Sequence, residues 1–77
     1  MMTRISASIM AAYGPQHPDG HVSRAEAADI LRMSVAGLAG MASRGYGPPY
    51  YRLGGRRVVY PLAELAAWAE ERAAQKK

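Results

Sequence analysis

The residues best suited to chemistry in this sequence are arginines that crowd the middle of the chain. No aspartate or glutamate occurs between Asp29 and Glu64, and that stretch contains Arg32, Arg44, Arg52, Arg56 and Arg57. The planar guanidinium group matches phosphate oxygens and guanine edges with paired hydrogen bonds. A segment with charge of one sign therefore predicts a polyanionic partner, and nucleic acid is favoured over a membrane surface.

The sequence gives little support for catalysis or for metal binding. The chain has no cysteine, which excludes disulfides, thiolate zinc sites and a thiol nucleophile. His17, Asp19 and His21 alternate as metal ligands could, but zinc needs a fourth ligand and a rigid frame, whereas this stretch is a loop rich in proline and glycine. Because paired carboxylates and a glycine loop before a helix are also missing, we expect no enzyme activity, no metal and no cofactor.

The length and hydropathy of the chain limit its architecture. With 77 residues, it has room for one domain with a thin core. No apolar run is long enough to cross a bilayer, and Ser6 and Ser8 make the start too polar for a signal peptide. We therefore expect a cytoplasmic protein that does not interact with membranes.

Residues 1–21 are predicted to be an N-terminal tail followed by a loop. Ile5, Ile9 and Tyr13 recur at helical spacing, which would also suit a short helix docked on the domain or on a partner. A frayed tail is favoured slightly over that helix.

Two short helices follow, each with its own N-cap. Ser23 and Glu26 form a capping box that starts a helix ending near Leu31. Ser34 caps a second helix over residues 35–43, and Gly45 is a natural stop. Two short helices joined by about three residues predict a helix-turn-helix.

A β-hairpin comes next. Strands over residues 50–53 and 57–60 flank Gly54-Gly55-Arg56, where glycine supplies the positive φ of a tight turn. A two-stranded hairpin is only marginally stable alone, so it must pack against the helices.

A third helix, opened by Pro61, closes the predicted domain. Its inner face carries Leu62, Leu65, Trp68 and Ala69, and Trp68 is expected in the core. The domain is predicted to span residues 22–74, with a frayed tail at 75–77. The fold class is mainly α with a small β-hairpin: a winged helix-turn-helix with a two-stranded wing and a C-terminal helix.

Taken in order, these pieces resemble the excisionase-like branch of the MerR-type winged helix-turn-helix domains. The resemblance covers residues 22–69 and is carried by three stretches. Residues 23–34 resemble the opening helix and the serine that starts the recognition helix, and residues 51–57 resemble the wing. The closing helix is represented by Tyr60, Glu64, Leu65 and Trp68. It implies a recombination directionality factor of a mobile genetic element. Such proteins bind adjacent sites on duplex DNA cooperatively and bend the DNA so that a tyrosine-type integrase can excise the element.

The second helix departs from the pattern of that family. Members usually carry Arg, Lys, Thr or Tyr on its exposed face, where this chain has Val35, Ala36, Gly37, Ala39 and Gly40. Small side chains approach the major groove closely but make no bidentate bonds to bases. Either backbone charge, wing contacts and DNA shape provide recognition, or this helix packs against a protein partner.

The candidate DNA-binding residues come from the turn, the second helix and the hairpin: Arg32, Ser34, Val35, Ala36, Ala39, Gly40, Arg44, Arg52, Arg56 and Arg57. Arg56 and Arg57 are expected in a minor groove or on phosphate. Arg44 suits a phosphate contact and the helix dipole equally well. Arg32, next to the turn, is expected to reach the DNA backbone, and Ser34 is first of all a cap.

The remaining polar and aromatic residues have structural interpretations. Arg24 is expected to be surface charge. Tyr46, Tyr50 and Tyr51 are interpreted as packing residues rather than as stacking platforms for single-stranded bases.

Three functions remain open at this point. The first is an excisionase that acts with duplex DNA, an integrase and further copies of itself, in the nucleoid. The second is a small winged helix-turn-helix transcriptional regulator. The third is a protein-interaction module that uses the apolar second helix.

Overall fold

A computed structural model describes residues 4–55 and 57–75 of the chain. In chain order, the elements are α1 (Arg4–Tyr13), a 3-10 turn (Gly14–Gln16), β1 (His21–Ser23), α2 (Arg24–Leu31), α3 (Val35–Arg44), β2 (Tyr51–Leu53), β3 (Arg57–Pro61) and α4 (Leu62–Gln75). The predicted class, a mainly helical winged helix-turn-helix, is confirmed. Arg56, at the predicted wing tip, and the end of the predicted C-terminal tail lie outside the described residues.

Helices α2 and α3 begin at the predicted caps. The Ser23 hydroxyl accepts from the Glu26 amide at 3.1 Å, and the Glu26 carboxylate accepts from the Ser23 amide at 3.2 Å. At α3 the Ser34 hydroxyl accepts from the Gly37 amide at 2.9 Å. A Cβ on Gly37 would lie only 3.0 Å from that hydroxyl oxygen, so glycine at this position lets the cap close tightly. Both local predictions are confirmed.

The sheet has one strand more than the sequence predicts. Its antiparallel order is β1-β3-β2, with Val22 opposite Tyr60 and Arg52 opposite Val58. Strand β1 has three residues, too few to show the alternation by which a strand is recognised. It joins the start of the domain to the base of the wing, so the hairpin is not left to stand alone.

The core lies where α2, α3 and α4 meet the inner face of the sheet. Its largest fully buried side chains are Tyr60, Leu38, Leu62, Leu65 and Val22. Ala27 and Ala28 of α2 are also buried in this cluster, and their small side chains allow close packing of the helix. The largest side chain of the core is therefore a strand tyrosine.

The prediction that Trp68 belongs to this core is wrong. Trp68 is only partly buried, and the Arg72 guanidinium carbon lies 5.2 Å from the centre of its ring. The buried positions of α4 are Leu62, Leu65 and Ala66. Trp68 lies at the edge of the stripe that these residues form, because a helix repeats every 3.6 residues.

The preference for a frayed N-terminal tail is also wrong for residues 4–13. Helix α1 packs along α4, and its residues Ile9 and Tyr13 pack against the core. The Glu70 carboxylate of α4 accepts from the Ile5 amide at 2.8 Å and from the Ser6 amide at 3.1 Å. Glu70 therefore provides α1 with an N-cap from the other end of the chain.

Arg32 ends α2 in the left-handed conformation, with φ 59° and ψ 48°. A residue with a Cβ loses about 1–2 kcal/mol there, whereas glycine is free of the clash. Arg32→Gly should therefore stabilise the fold by about 0.5 kcal/mol, because the greater freedom of glycine in the unfolded chain offsets part of the gain. Thermal melts should show a rise of a few degrees. Arg32→Ala removes the same side chain but keeps Cβ. An equal rise in melting temperature for Arg32→Ala would therefore show that backbone strain at Arg32 is not the cause.

Candidate nucleic-acid interface

Helix α3 turns a small, nearly featureless face outward. Val35 is 48% exposed and Ala36 is exposed, while Ala39 and Gly40 are half-buried. On the opposite side of α3, Leu38 and Met41 are buried and hold the helix against the domain. The outward face therefore brings the helix backbone within close reach of any surface that it meets.

Arg44 adds charge to this outward face. Its Nη1 donates to the Tyr46 hydroxyl at 3.2 Å, and its guanidinium carbon lies 5.8 Å from the centre of the Tyr46 ring. A Cβ on Gly40 would lie 3.5 Å from Nη2 of Arg44, so the side chain extends back along the helix over Gly40. Arg44 is the one charged residue in the α3 sequence. Tyr46 thus holds a guanidinium beside the small residues of α3.

The wing presents arginines on both of its faces. Arg52 and Arg57 are exposed. Arg52 lies opposite Val58, whereas Arg57 lies opposite Leu53. Because neighbouring residues of a strand point to opposite faces and paired residues share a face, Arg52 and Arg57 project from opposite sides of the hairpin. Between them, Gly54 and Gly55 turn with φ of 64° and 82°.

These arginines are not neutralised within the domain. The ion pairs in the described part of the chain are His17 with Glu26, at 3.3 Å, and His21 with Asp19, at 3.9 Å. Among residues 5–55 and 57–73, no arginine side chain forms a salt bridge with a carboxylate. The charge of α3 and of the wing is therefore available to an external anion.

Arg32 is separated from this group by its surroundings. It lies at the turn between α2 and α3, and its side chain lines a groove bordered by α1 and α4. Met41, from the inner side of α3, lines the same groove. The structure thus places Ser34 and Arg44 at the two ends of α3 and Arg32 beside a different surface.

Arg24 is more than the surface charge that its sequence suggests. Its Nε donates to the Tyr60 hydroxyl at 3.2 Å, and its guanidinium carbon lies 5.6 Å from the Tyr50 ring centre and 6.0 Å from that of Tyr60. The two rings are 5.7 Å apart. Arg24 therefore joins α2 to the base of the wing. No local sequence signal could reveal this, since 36 residues separate Arg24 from Tyr60.

The tyrosines divide into two classes. Tyr50 packs against the core, as predicted. Tyr46 is 49% exposed and Tyr51 is 51% exposed, so the interpretation of these two as packing residues is wrong. Both follow the end of α3 and lie close in sequence to the arginines of the wing.

Among the residues that the structure describes, no group of three or more His, Cys, Asp or Glu side chains is arranged to hold a metal ion. Over the same residues, no helix combines the length and apolar character needed to cross a membrane.

A family model described as a helix-turn-helix domain matches residues 22–73. The chain belongs to this helix-turn-helix domain family. The matched residues run from β1 to α4 and include α2, α3 and the wing, whereas α1 lies outside them. No significant match was found among curated proteins or among solved structures.

Family membership makes this a DNA-binding helix-turn-helix domain. In such domains, the second helix lies in the major groove and the first crosses the DNA backbone. Here α3 is the second helix and α2 the first. The outward face of α3 is therefore the candidate surface for contact with the bases.

Proposed function

We propose that this helix-turn-helix domain is an excisionase-type accessory factor, which binds and bends attachment-site DNA so that a tyrosine-type integrase can excise the element. The observation that supports this proposal is a second helix without side chains that could read bases, next to a wing with arginines on both faces. Such a surface holds duplex DNA through phosphates and shape more than through base edges. An architectural role in recombination requires that kind of binding.

The proposed major-groove contact is made by α3. Val35, Ala36, Ala39 and Gly40 lie against base edges, where a methyl group can touch a thymine methyl. Ser34 keeps its role as cap and presents the first amides of α3 to a phosphate. Arg44, held by Tyr46 over Gly40, reaches the backbone at the rim of the groove.

The wing is proposed to enter the adjacent minor groove. Arg52 and Arg57 project from opposite faces of the hairpin, which suits a groove bordered by a phosphate backbone on each side. Arg56 follows the glycine turn in sequence and is proposed to contribute a further positive charge to this contact.

Bending and cooperative assembly follow from the weakness of each contact. One copy offers one short helix and one wing, which suffice for only a few base pairs. Specificity beyond those few base pairs must therefore come from several copies on adjacent sites and from the energy needed to deform the DNA between them. We propose self-association on DNA for this reason.

The test is a pair of assays on duplex DNA from the attachment region of the host element. The change in end-to-end distance of a doubly labelled duplex reports bending, and an in vitro reaction with that element's integrase reports excision. We expect both a bent duplex and dependence of excision on this protein. Binding without bending or excision would instead favour a transcriptional regulator, and no binding to duplex would favour a protein-interaction module.

The wing should supply more of the sequence discrimination than is usual in this fold. If it does, Arg56→Ala lowers affinity for cognate duplex more than affinity for scrambled duplex. A base contact is worth about 1–3 kcal/mol, so the affinity ratio should fall about fivefold or more. The measurement is a titration of both duplexes at one fixed salt concentration. An unchanged ratio, with both affinities lower, would make Arg56 a simple phosphate contact.

A further inference from the structure

An apolar groove runs between α1, α4 and the turn that joins α2 to α3. Its floor and walls include Ile5, Ile9, Ile30, Met33, Met41 and Trp68. Helix α1 supplies one wall and lies outside the residues matched by the helix-turn-helix family. The groove is therefore an addition to the DNA-binding domain, separate from the outward face of α3 and from the wing.

The charged side chains of this groove are all of one sign. Arg32 contributes from the turn and Arg72 from α4, and none of the described residues that line the groove is acidic. Glu70 of α4 is directed to the amides of Ile5 and Ser6, where it caps α1. The groove thus combines an apolar floor with two cationic side chains.

Trp68 gives this groove a side chain of the kind that anchors interfaces. It is partly exposed rather than in the core, and the Arg72 guanidinium carbon lies 5.2 Å from its ring centre. Tryptophan and arginine are enriched among the residues that dominate binding energy at protein interfaces. The position of Trp68 in the groove accounts for a large aromatic residue that the core does not use.

The conformation of Arg32 is a second, independent observation. Its left-handed backbone is costly for any residue with a Cβ, and among the described residues Arg32 is the one non-glycine with positive φ. Strained residues concentrate at functional sites, where the side chain is needed in that place. Glycine would relieve the strain at Arg32 but would remove one of the two cations of the groove.

We propose that this groove docks an acidic amphipathic helix of a partner protein. The apolar face of that helix would lie on Trp68 and the aliphatic floor, with anchors at i, i+3 or i+4, and i+7. Its carboxylates would pair with Arg32 and Arg72, and this complementarity selects an acidic helix over a basic one. Because the outward face of α3 and the wing are not used, the domain can hold DNA and the partner together.

The fluorescence of Trp68 provides the readout, because Trp68 is the single tryptophan of the chain. The probe is a synthetic peptide of about 16 residues, long enough to form a helix, with leucine at the anchor positions and glutamate at most others. We expect a blue shift of the emission and protection from acrylamide quenching. A matched peptide with lysine in place of every glutamate should produce neither.

Two variants locate the site of binding. The double variant Arg32→Gln, Arg72→Gln should bind the acidic peptide about tenfold more weakly, since both ion pairs are lost. Arg57→Gln makes one change of the same kind on the wing and should leave peptide affinity unchanged while it weakens duplex binding. Thermal melts of all variants verify that each is folded.

Several results would overturn the proposal. These are no change in emission with the acidic peptide at millimolar concentration, equal binding of the acidic and basic peptides, and displacement of the peptide by duplex DNA. A blue shift that depends on the concentration of the protein alone would show that a second copy occupies the groove. None of these results bears on bending or excision, so the excisionase proposal is tested separately.

Discussion

Raising monovalent salt from about 50 mM to about 200 mM should weaken duplex binding by about 150-fold. Each phosphate neutralised contributes about 0.9 to the slope of log K against log salt, and about four contacts give a slope near −3.6. Arg44, Arg52 and Arg57 are exposed and unpaired with carboxylates in the described structure. Their charge is therefore available to phosphates, and counterion release should dominate the affinity.

The measurement is a fluorescence-anisotropy titration of one duplex at four or more salt concentrations. Arg57→Ala should reduce the steepness of the slope by about one, because it removes one phosphate contact. Arg72→Ala removes the same charge from α4, beside the groove, and should leave the slope as it is. An affinity that does not change with salt would refute the electrostatic interpretation of the arginines.

The parts of the fold that the sequence predicts are those specified by neighbouring residues. Ser23 with Glu26 and Ser34 with Gly37 form caps within one helical turn, so their residue types and spacing suffice to place α2 and α3. The glycine turn of the wing is likewise local, because positive φ at Gly54 and Gly55 is a property of those residues.

The parts that the sequence does not predict depend on contacts between distant residues. Helix α1 is capped by Glu70, 65 residues from Ile5, and no pattern within residues 1–14 contains that information. Strand β1 exists because β3 pairs with it. In the same way, Tyr60 and Arg24 meet only in the folded chain, so the sequence assigns Arg24 to the surface.

The sequence predicts which residues belong to the candidate site better than it predicts how those residues are arranged. It identifies the arginines of the acid-free stretch, but it cannot show that Arg52 and Arg57 lie on opposite faces of the wing, since this depends on the register of β2 and β3. Nor can it show that Arg32 borders a groove formed by α1 and α4. The one-signed stretch thus divides into two surfaces, one suited to DNA and one to an acidic protein segment.

The structure buries Tyr60 fully and leaves Trp68, the aromatic residue expected in the core, partly exposed, so Tyr60→Ala should nearly unfold the domain. Tyr60 is fully buried, packs against Tyr50 and accepts a hydrogen bond from Arg24. Loss of a large buried aromatic costs about 3–5 kcal/mol, while a domain of this size has roughly 4–12 kcal/mol in total. Trp68→Ala removes a larger side chain from a partly exposed position, so it should cost only about 1–2 kcal/mol.

The measurement is urea unfolding followed by far-UV circular dichroism, because Trp68→Ala removes the only tryptophan fluorescence. Tyr60→Phe is the matched control: it keeps the ring and loses only the hydrogen bond from Arg24, which is worth about 1 kcal/mol. The expected order of unfolding midpoints is wild type, then Tyr60→Phe and Trp68→Ala close together, then Tyr60→Ala far below. A midpoint for Trp68→Ala as low as that of Tyr60→Ala would place Trp68 in the core after all. It would also remove one observation that supports the docking proposal, because the indole would then be needed to pack α4 against the domain.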